Sequence, residues 1–311
     1  MDKKSVGIIG AGIAGLTVAR LLRQVGYKPV VFDKGRAPGG RVATRFSREG
    51  HVFDHGAQYI SAKSSGFQSV MNGAASTGTL AMWKMAPTLT RYVGVPSMVE
   101  FPGHLARAVD VQLNSEVTAI RETRTGWSVQ VGDDERSFER LVLTCPPVQA
   151  ARLLGDHVLA ADVALVTMSP CLTLMAAFGD GPPGPFMTRR DPDADLAWIS
   201  EDSAKPMRPP GTRYVAQAGL DYSKANLEAE KPEIAAMMLP LLCDAIGRDP
   251  GDAVYTAGHR WRYARVDDPL GRACLHDDAR RLFVAGDWCL GARVESAWES
   301  GVAVVEAIVG S

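Results

Sequence analysis

The sequence predicts an α/β chain: a parallel-sheet domain interrupted by an inserted α+β domain built on an antiparallel sheet. Three observations carry this expectation. The chain opens on a strand, a glycine-rich turn and an amphipathic helix; its middle alternates short strand-like runs with proline-rich loops; and it returns to a buried strand and a long helix at residues 281–309.

The opening has a specific form. Residues 5–9 are a short apolar strand, followed at once by Gly10, Gly12 and Gly15. Val18, Leu21, Leu22 and Val25 then recur at i, i+3, i+4 and i+7, the stripe of a helix laid on a sheet, and Gly26 supplies its stop. Residues 29–32 form the next strand, which ends in Asp33. A GxGxxG run inside a complete βαβ unit is the cradle of a Rossmann-type dinucleotide-binding domain. Gly10 permits the tight turn, Gly12 lets the backbone approach a pyrophosphate, and Gly15 lets helix and strand pack closely. Ile13 and Ala14 open the helix whose free N–H groups face the phosphates, and Asp33 is placed to accept from ribose hydroxyls.

Further along, residues 113–144 hold short alternating runs such as Trp127, Val129 and Val131, the pattern of antiparallel strands. Residues 166–178 and 212–219 read as strands, 180–185 and 205–210 as loops, and 227–246 as a helix broken at Pro240. A strand at 281–285 runs into Gly286 and Asp287, and a helix covers 294–309. The expected division is a discontinuous cradle domain at 1–80, 100–150 and 275–311, with a substrate-binding domain at 81–99 and 151–274.

Composition excludes several classes. A net charge of −1 gives no basic surface for nucleic acid or anionic lipid. No apolar run reaches the roughly 20 residues that span a bilayer. Lys3 and Lys4 before an apolar stretch imitate a secretory leader, but the glycines and the Asp33 spacing favour the cradle, so a cytoplasmic protein is expected. Five scattered cysteines form no CxxC pair and six histidines no ligand cluster, so neither disulfides nor a metal is expected.

The glycines alone serve NAD and FAD equally. Residues 33–44, DKGRAPGGRVAT, add Arg36, Gly39, Gly40 and Arg41 just past the ribose acid, a second grip on a pyrophosphate that a dehydrogenase does not need. With this segment, DHGAQY at 54–59, and GDW at 286–288 followed by Val294, Ser296, Ala297, Ser300 and Gly301, the chain resembles the flavin-containing amine oxidase superfamily. The resemblance implies a p-hydroxybenzoate hydroxylase-like fold holding FAD. The implied contacts are Gly10, Gly12, Ile13, Ala14, Gly15, Asp33, Lys34, Arg36, Gly40, Arg41, Ala57, Gln58, Val117, Gly286, Asp287, Val294 and Ala297. Cys289 does not match the position of that superfamily's covalent flavin anchors, so the FAD is expected to be noncovalent.

Within the superfamily, RYVGVPSM at 91–98, LAWI at 196–199, Lys205 with Pro206, SKANL at 223–227, HRWRYA at 259–264 and GDWC at 286–289 are similar to the bacterial renalases. That likeness implies an oxidase that takes a hydride from dihydronicotinamide dinucleotides reduced at ring position 2 or 6, restores NAD(P)+ and reduces O2 to H2O2. Such chemistry needs positioning more than a base. His259 and Trp288 are the expected ring-positioning residues, and Gln58, Tyr59, Trp198, Gln217, Tyr222 and Trp261 the expected substrate contacts. Each aromatic among them can instead be a core residue, and His259 a satisfied structural histidine. The alternatives are an amine oxidase or desaturase of the same superfamily, for which Lys63, Lys84 and Lys205 are candidate lysines beside the cofactor, and a flavin-less binding module. The intact glycines, Asp33, Arg41 and Asp287 favour an enzyme over the last.

Overall fold

The structure, a computed structural model, describes residues 4–179 and 184–310; most of the loop expected at 180–185 lies outside the described residues. A six-stranded sheet is ordered Leu275–Asp277, Leu282–Val284, Arg140–Leu143, Ser5–Ile9, Lys28–Phe32 and Asp110–Gln112. Every pairing is parallel except that of Leu275–Asp277, and Ile8 sits between Val31 and Val142 in register. Parallel strands buried on both faces read as continuous apolar runs, which is why VGII and LFV were legible.

The helix Ile13–Gln24 lies against this sheet and packs closely on the last helix, Val294–Gly310; a Cβ added at Gly301 would come within 2.8 Å of the Ala14 carbonyl oxygen. Leu16, Val18, Leu22, Val142, Phe283, Val304 and Ile308 close this core. The close approach also explains Gly15, where a Cβ would stand 2.0 Å from the Gly10 carbonyl oxygen and 2.7 Å from Thr144 Oγ1.

Two parts of the expected domain division do not hold. The hairpin Leu80–Ala86 with Leu89–Gly94 buries Leu80, Trp83 and Val93 in the same core as the first helix. The helices Pro147–Leu154 and Leu159–Ala164 bury Leu154, Leu159 and Val163 with Trp127, Leu141 and Val284. Both segments therefore pack with the cradle rather than with the inserted part. Short elements like these bury too little on their own, and composition does not show which neighbour completes them.

The inserted part is a five-stranded antiparallel sheet ordered Thr188–Arg190, Leu196–Glu201, Thr212–Ala218, Thr167–Phe178 and Ala253–Asp268. The helix Lys231–Ile246 covers one face through Ile234, Ala235, Met238 and Leu242. It starts later than expected, at a capping box formed by Glu230 and Glu233, and runs unbroken through Pro240 to a left-handed Gly247. The segment 220–225 is a separate short helix. The 16-residue strand Ala253–Asp268 escaped the sequence reading because its burial does not alternate cleanly and its pairing with Thr167–Phe178 shifts register at several points.

Gly15→Ala should cost about 1–3 kcal/mol through overpacking, read as a lowered unfolding midpoint in urea. An unchanged midpoint would show that the close packing of helix and turn does not constrain this position.

Candidate active site

The cradle begins at Asp33. Its carboxylate accepts from the Ala11 amide at 2.6 Å and from the Gly35 amide at 2.7 Å, which pins it at the carboxyl end of the strand Lys28–Phe32 beside the glycine turn. The first turn of Ile13–Gln24 has no side-chain cap, so its leading N–H groups lack intrahelical partners. A Cβ added at Gly12 would meet no protein atom within 4 Å, so the turn opens onto free space in front of those amides. A pyrophosphate fits that space and the donors that face it. Val117 is buried against Ile9 and Phe32, two residues after Ser115 donates to the Asp33 carbonyl. Lys34 is exposed 4.0 Å from Glu116, and Arg36 and Gly40 are exposed at the rim.

The second marker lies on the first. Gly39 donates to the Ala11 carbonyl and bridges Gly12, while Ala57 donates to the carbonyl of Arg41. The Arg41 guanidinium then reaches the third marker, giving a bidentate pair with Asp287 at 2.8 and 2.6 Å and a further bond to the Ala264 carbonyl. Arg41 and Asp287, both expected to contact the cofactor, thus meet each other where the marker segments converge. Gly286 is buried beside them, and Val294 and Ala297 open the last helix. Glu295 joins that helix start to the amides of Lys63 and Ser64.

Residues 54–59 form the other wall. Asp54 is fully buried and accepts from Lys205 Nζ at 3.1 Å, Arg208 Nη2 at 2.5 Å, Thr44 Oγ1 at 2.7 Å and the Met98 amide at 2.9 Å. Lys205 also donates to Asp202 Oδ1 at 2.5 Å, and the Asp54 amide donates to Asp202 Oδ2. Burial pushes the Asp54 carboxyl up, but the Lys205 and Arg208 charges overcome it and hold the group at about 2; burial leaves Asp202 raised. Lys205 is therefore committed to an ion cluster, and Lys63 and Lys84 are exposed.

Gln58 was expected to touch substrate and cofactor. Instead its amide is consumed internally, donating to the Asp54 and Gly56 carbonyls and accepting from Ser200 and Lys205. The neighbours of Gln58 make the contacts with the inserted sheet. Gln217 donates to the Gly56 carbonyl at 2.8 Å and Trp261 Nε1 to the His55 carbonyl at 3.0 Å. The His55 ring lies 4.8 Å from His259 and 5.2 Å from Trp261, and the Tyr59 ring 5.8 Å from Trp198. Arg190, Trp198, Gln217, Thr173 and His259 are successive partners across all five strands, so they share one sheet face, the face that meets residues 54–59. His55, signalled in the sequence only as the histidine inside DHGAQY, joins this face.

Two expected contacts are placed elsewhere. Trp288 has no exposed surface; it packs in the core with Phe32, Leu141 and Val284 and donates to the Cys145 carbonyl. Following Asp287 in sequence does not put it at the site, because a single turn directs it inward. Tyr222 packs on the far core with the helix Lys231–Ile246. Burial pushes the thiols of Cys145 and Cys289 up to about 12, leaving them unreactive.

Burial lowers both imidazoles, His55 to about 4 and His259 to about 3, and His55 further disfavours charge on His259. In the unfolded chain each protonates near its ordinary value of about 6.5. Their contribution to stability is therefore complete above that pH and is lost as pH falls toward 4. His259→Asn should flatten the decline of stability between pH 6.5 and 4.5; a variant with the parent's full slope would contradict the assignment. Lys205→Met, which leaves Asp54 and Asp202 short of a cation, should cost about 3–5 kcal/mol in urea unfolding. A loss below 1 kcal/mol would show the cluster to be dispensable.

Comparison with known proteins bears on the family and the fold. Residues 8–72 match the NAD(P)-binding Rossmann-like domain, and residues 91–309 match the flavin containing amine oxidoreductase family. An L-amino-acid oxidase of Siganus canaliculatus is 42% identical over 64 residues, 20% of this chain and 12% of its own. A phytoene desaturase of Fusarium fujikuroi is 41% identical over 54 residues, 17% of this chain and 9% of its own. The chain thus matches only a small part of the length of these curated relatives. A cyclohexylamine oxidase of Brevibacterium oxydans IH-35A superposes with a TM-score of 0.72, covering 98% of both chains at 14% identity, which speaks to the fold alone. The second family match spans well over half of the chain: the protein belongs to the flavin-containing amine oxidoreductases and is an FAD-dependent oxidoreductase.

Proposed function

We propose that the protein oxidises dihydronicotinamide dinucleotides reduced at ring position 2 or 6, restoring NAD(P)+ and passing the electrons to oxygen as hydrogen peroxide. When bound, the noncovalently held FAD supplies the two-electron acceptor. The observation that carries the reading is the neutral pair His55 and His259 against Trp261, with the nearby charged side chains Lys205 and Arg208 locked in ion pairs with Asp54. A dihydropyridine gives up its hydride by the push of its own ring nitrogen and leaves as a pyridinium, so no proton passes to the protein. The residues need only hold a flat ring in place. Trp261 and Tyr59 offer faces, His259 an imidazole nitrogen, and the Gln217 bond to Gly56 keeps the backbone wall in position.

The row from His259 to Arg190 also favours a long substrate. It crosses four strand spacings of about 4.8 Å, about 19 Å in all, the scale of an extended dinucleotide. A second reading, oxidation of a small amine, is favoured by the Tyr59–Trp198 pair, which can enclose an amine's alkyl chain.

Anaerobic mixing of the yellow protein with each reductant separates the two. Isomeric dihydronicotinamides should bleach the flavin absorbance rapidly and small amines should not; the reverse would establish the amine reading. Bleaching should be nearly independent of pH between 6 and 8, and His259→Ala should slow it at every pH, on the order of 100-fold. A steep single-proton profile abolished by that substitution would replace positioning with acid–base chemistry.

A further inference from the structure

We infer that Arg91 and Arg190 form a subsite for the pyrophosphate of a dinucleotide substrate, at the opposite end of the aromatic face from His259. The Arg91 guanidinium lies 5.7 Å from the Tyr59 ring centroid, and Tyr59 packs on Trp198. Arg190 is the cross-strand partner of Trp198 and is exposed at the sheet edge. The two cations therefore flank one aromatic pair from two separate elements, the hairpin strand Leu89–Gly94 and the edge strand Thr188–Arg190.

Neither is spent on the protein's own acids. Among the described residues, Arg91 donates to the Thr90 carbonyl and neither guanidinium forms an ion pair with a carboxylate. This contrasts with Lys205, Arg208 and Arg41, each closed on an aspartate. Two unpaired guanidiniums around an apolar platform suit a diphosphate, which each can grip through two N–H groups. In a dinucleotide the pyrophosphate is the first anion beyond the nicotinamide ribose, and the substrate's 2′-phosphate, where present, lies farther out on the adenosine.

This inference rests on the dinucleotide reading, so its test separates the two. The FAD-loaded protein is titrated with ADP-ribose, which carries the pyrophosphate but no nicotinamide, and binding is followed by calorimetry. Arg91→Gln and Arg190→Gln should each weaken ADP-ribose about tenfold, the scale of a lost charge-assisted bond. In turnover each variant should raise KM for isomeric dihydro-NAD and dihydro-NADP alike while leaving kcat near the parent value. Neither should alter oxidation of the corresponding dihydronicotinamide riboside, which has no phosphate. Unchanged ADP-ribose affinity in both variants, or a loss confined to the 2′-phosphorylated substrate, would overturn the subsite while leaving the dinucleotide oxidase intact. Arginine-dependent ADP-ribose binding by a protein whose flavin dihydronicotinamides fail to bleach would overturn the oxidase reading alone.

Discussion

The attachment of Asp54 to Lys205 and Arg208 is the constraint on which the active face depends. Both cations come from the inserted part of the chain, whereas Asp54 opens the wall segment 54–59. A buried carboxylate without these charges would protonate or draw in water, and its four donors would lose their common acceptor. With them, the segment 54–59 is anchored at one end, threaded against Arg41 by the Ala57 amide, and held at Gly56 by Gln217. The side chains directed at the inserted sheet, His55 and Tyr59, can then be placed accurately although neither lies in a regular element.

The same economy appears at Arg41. The guanidinium connects the glycine-rich second marker with Asp287 and with the Ala264 carbonyl of the longest strand, so cradle and inserted sheet are tied where the marker segments converge. Lys205, Arg208 and Arg41 are closed on aspartates around this segment, whereas among the described residues Arg91 and Arg190 form no ion pair with a carboxylate.

How much of this could be read in advance followed from how local the signal was. The cradle was legible because glycine spacing, a buried strand and a terminal acid fall within 33 residues, and Asp33 and Gly15 stand where those signals place them. The identity of the cofactor was legible from three short markers, and the structure brings them together through Gly39, Ala57 and Arg41. The active face was legible only in pieces. Its row of side chains is assembled by register across five strands, and the pairing of the strand bearing His259 shifts register at several points, which no local signal announces. Trp288 shows the opposite error, since sequence adjacency to Asp287 suggested nearness to the site and a single turn of 3₁₀ helix sends the indole into the core. Gln58 was recognised as important, but only its partners reveal that it supports the wall from behind.

The claim that a buried ion cluster holds the active wall is tested most directly by amide hydrogen exchange on the FAD-loaded protein and its Lys205→Met variant. Loss of protection is expected at residues 54–60, with protection of the sheet strands Ser5–Ile9 and Leu282–Val284 retained under the same native conditions. Unchanged protection at 54–60 in a variant that still folds would contradict the account, because the wall would then be held by its backbone bonds alone.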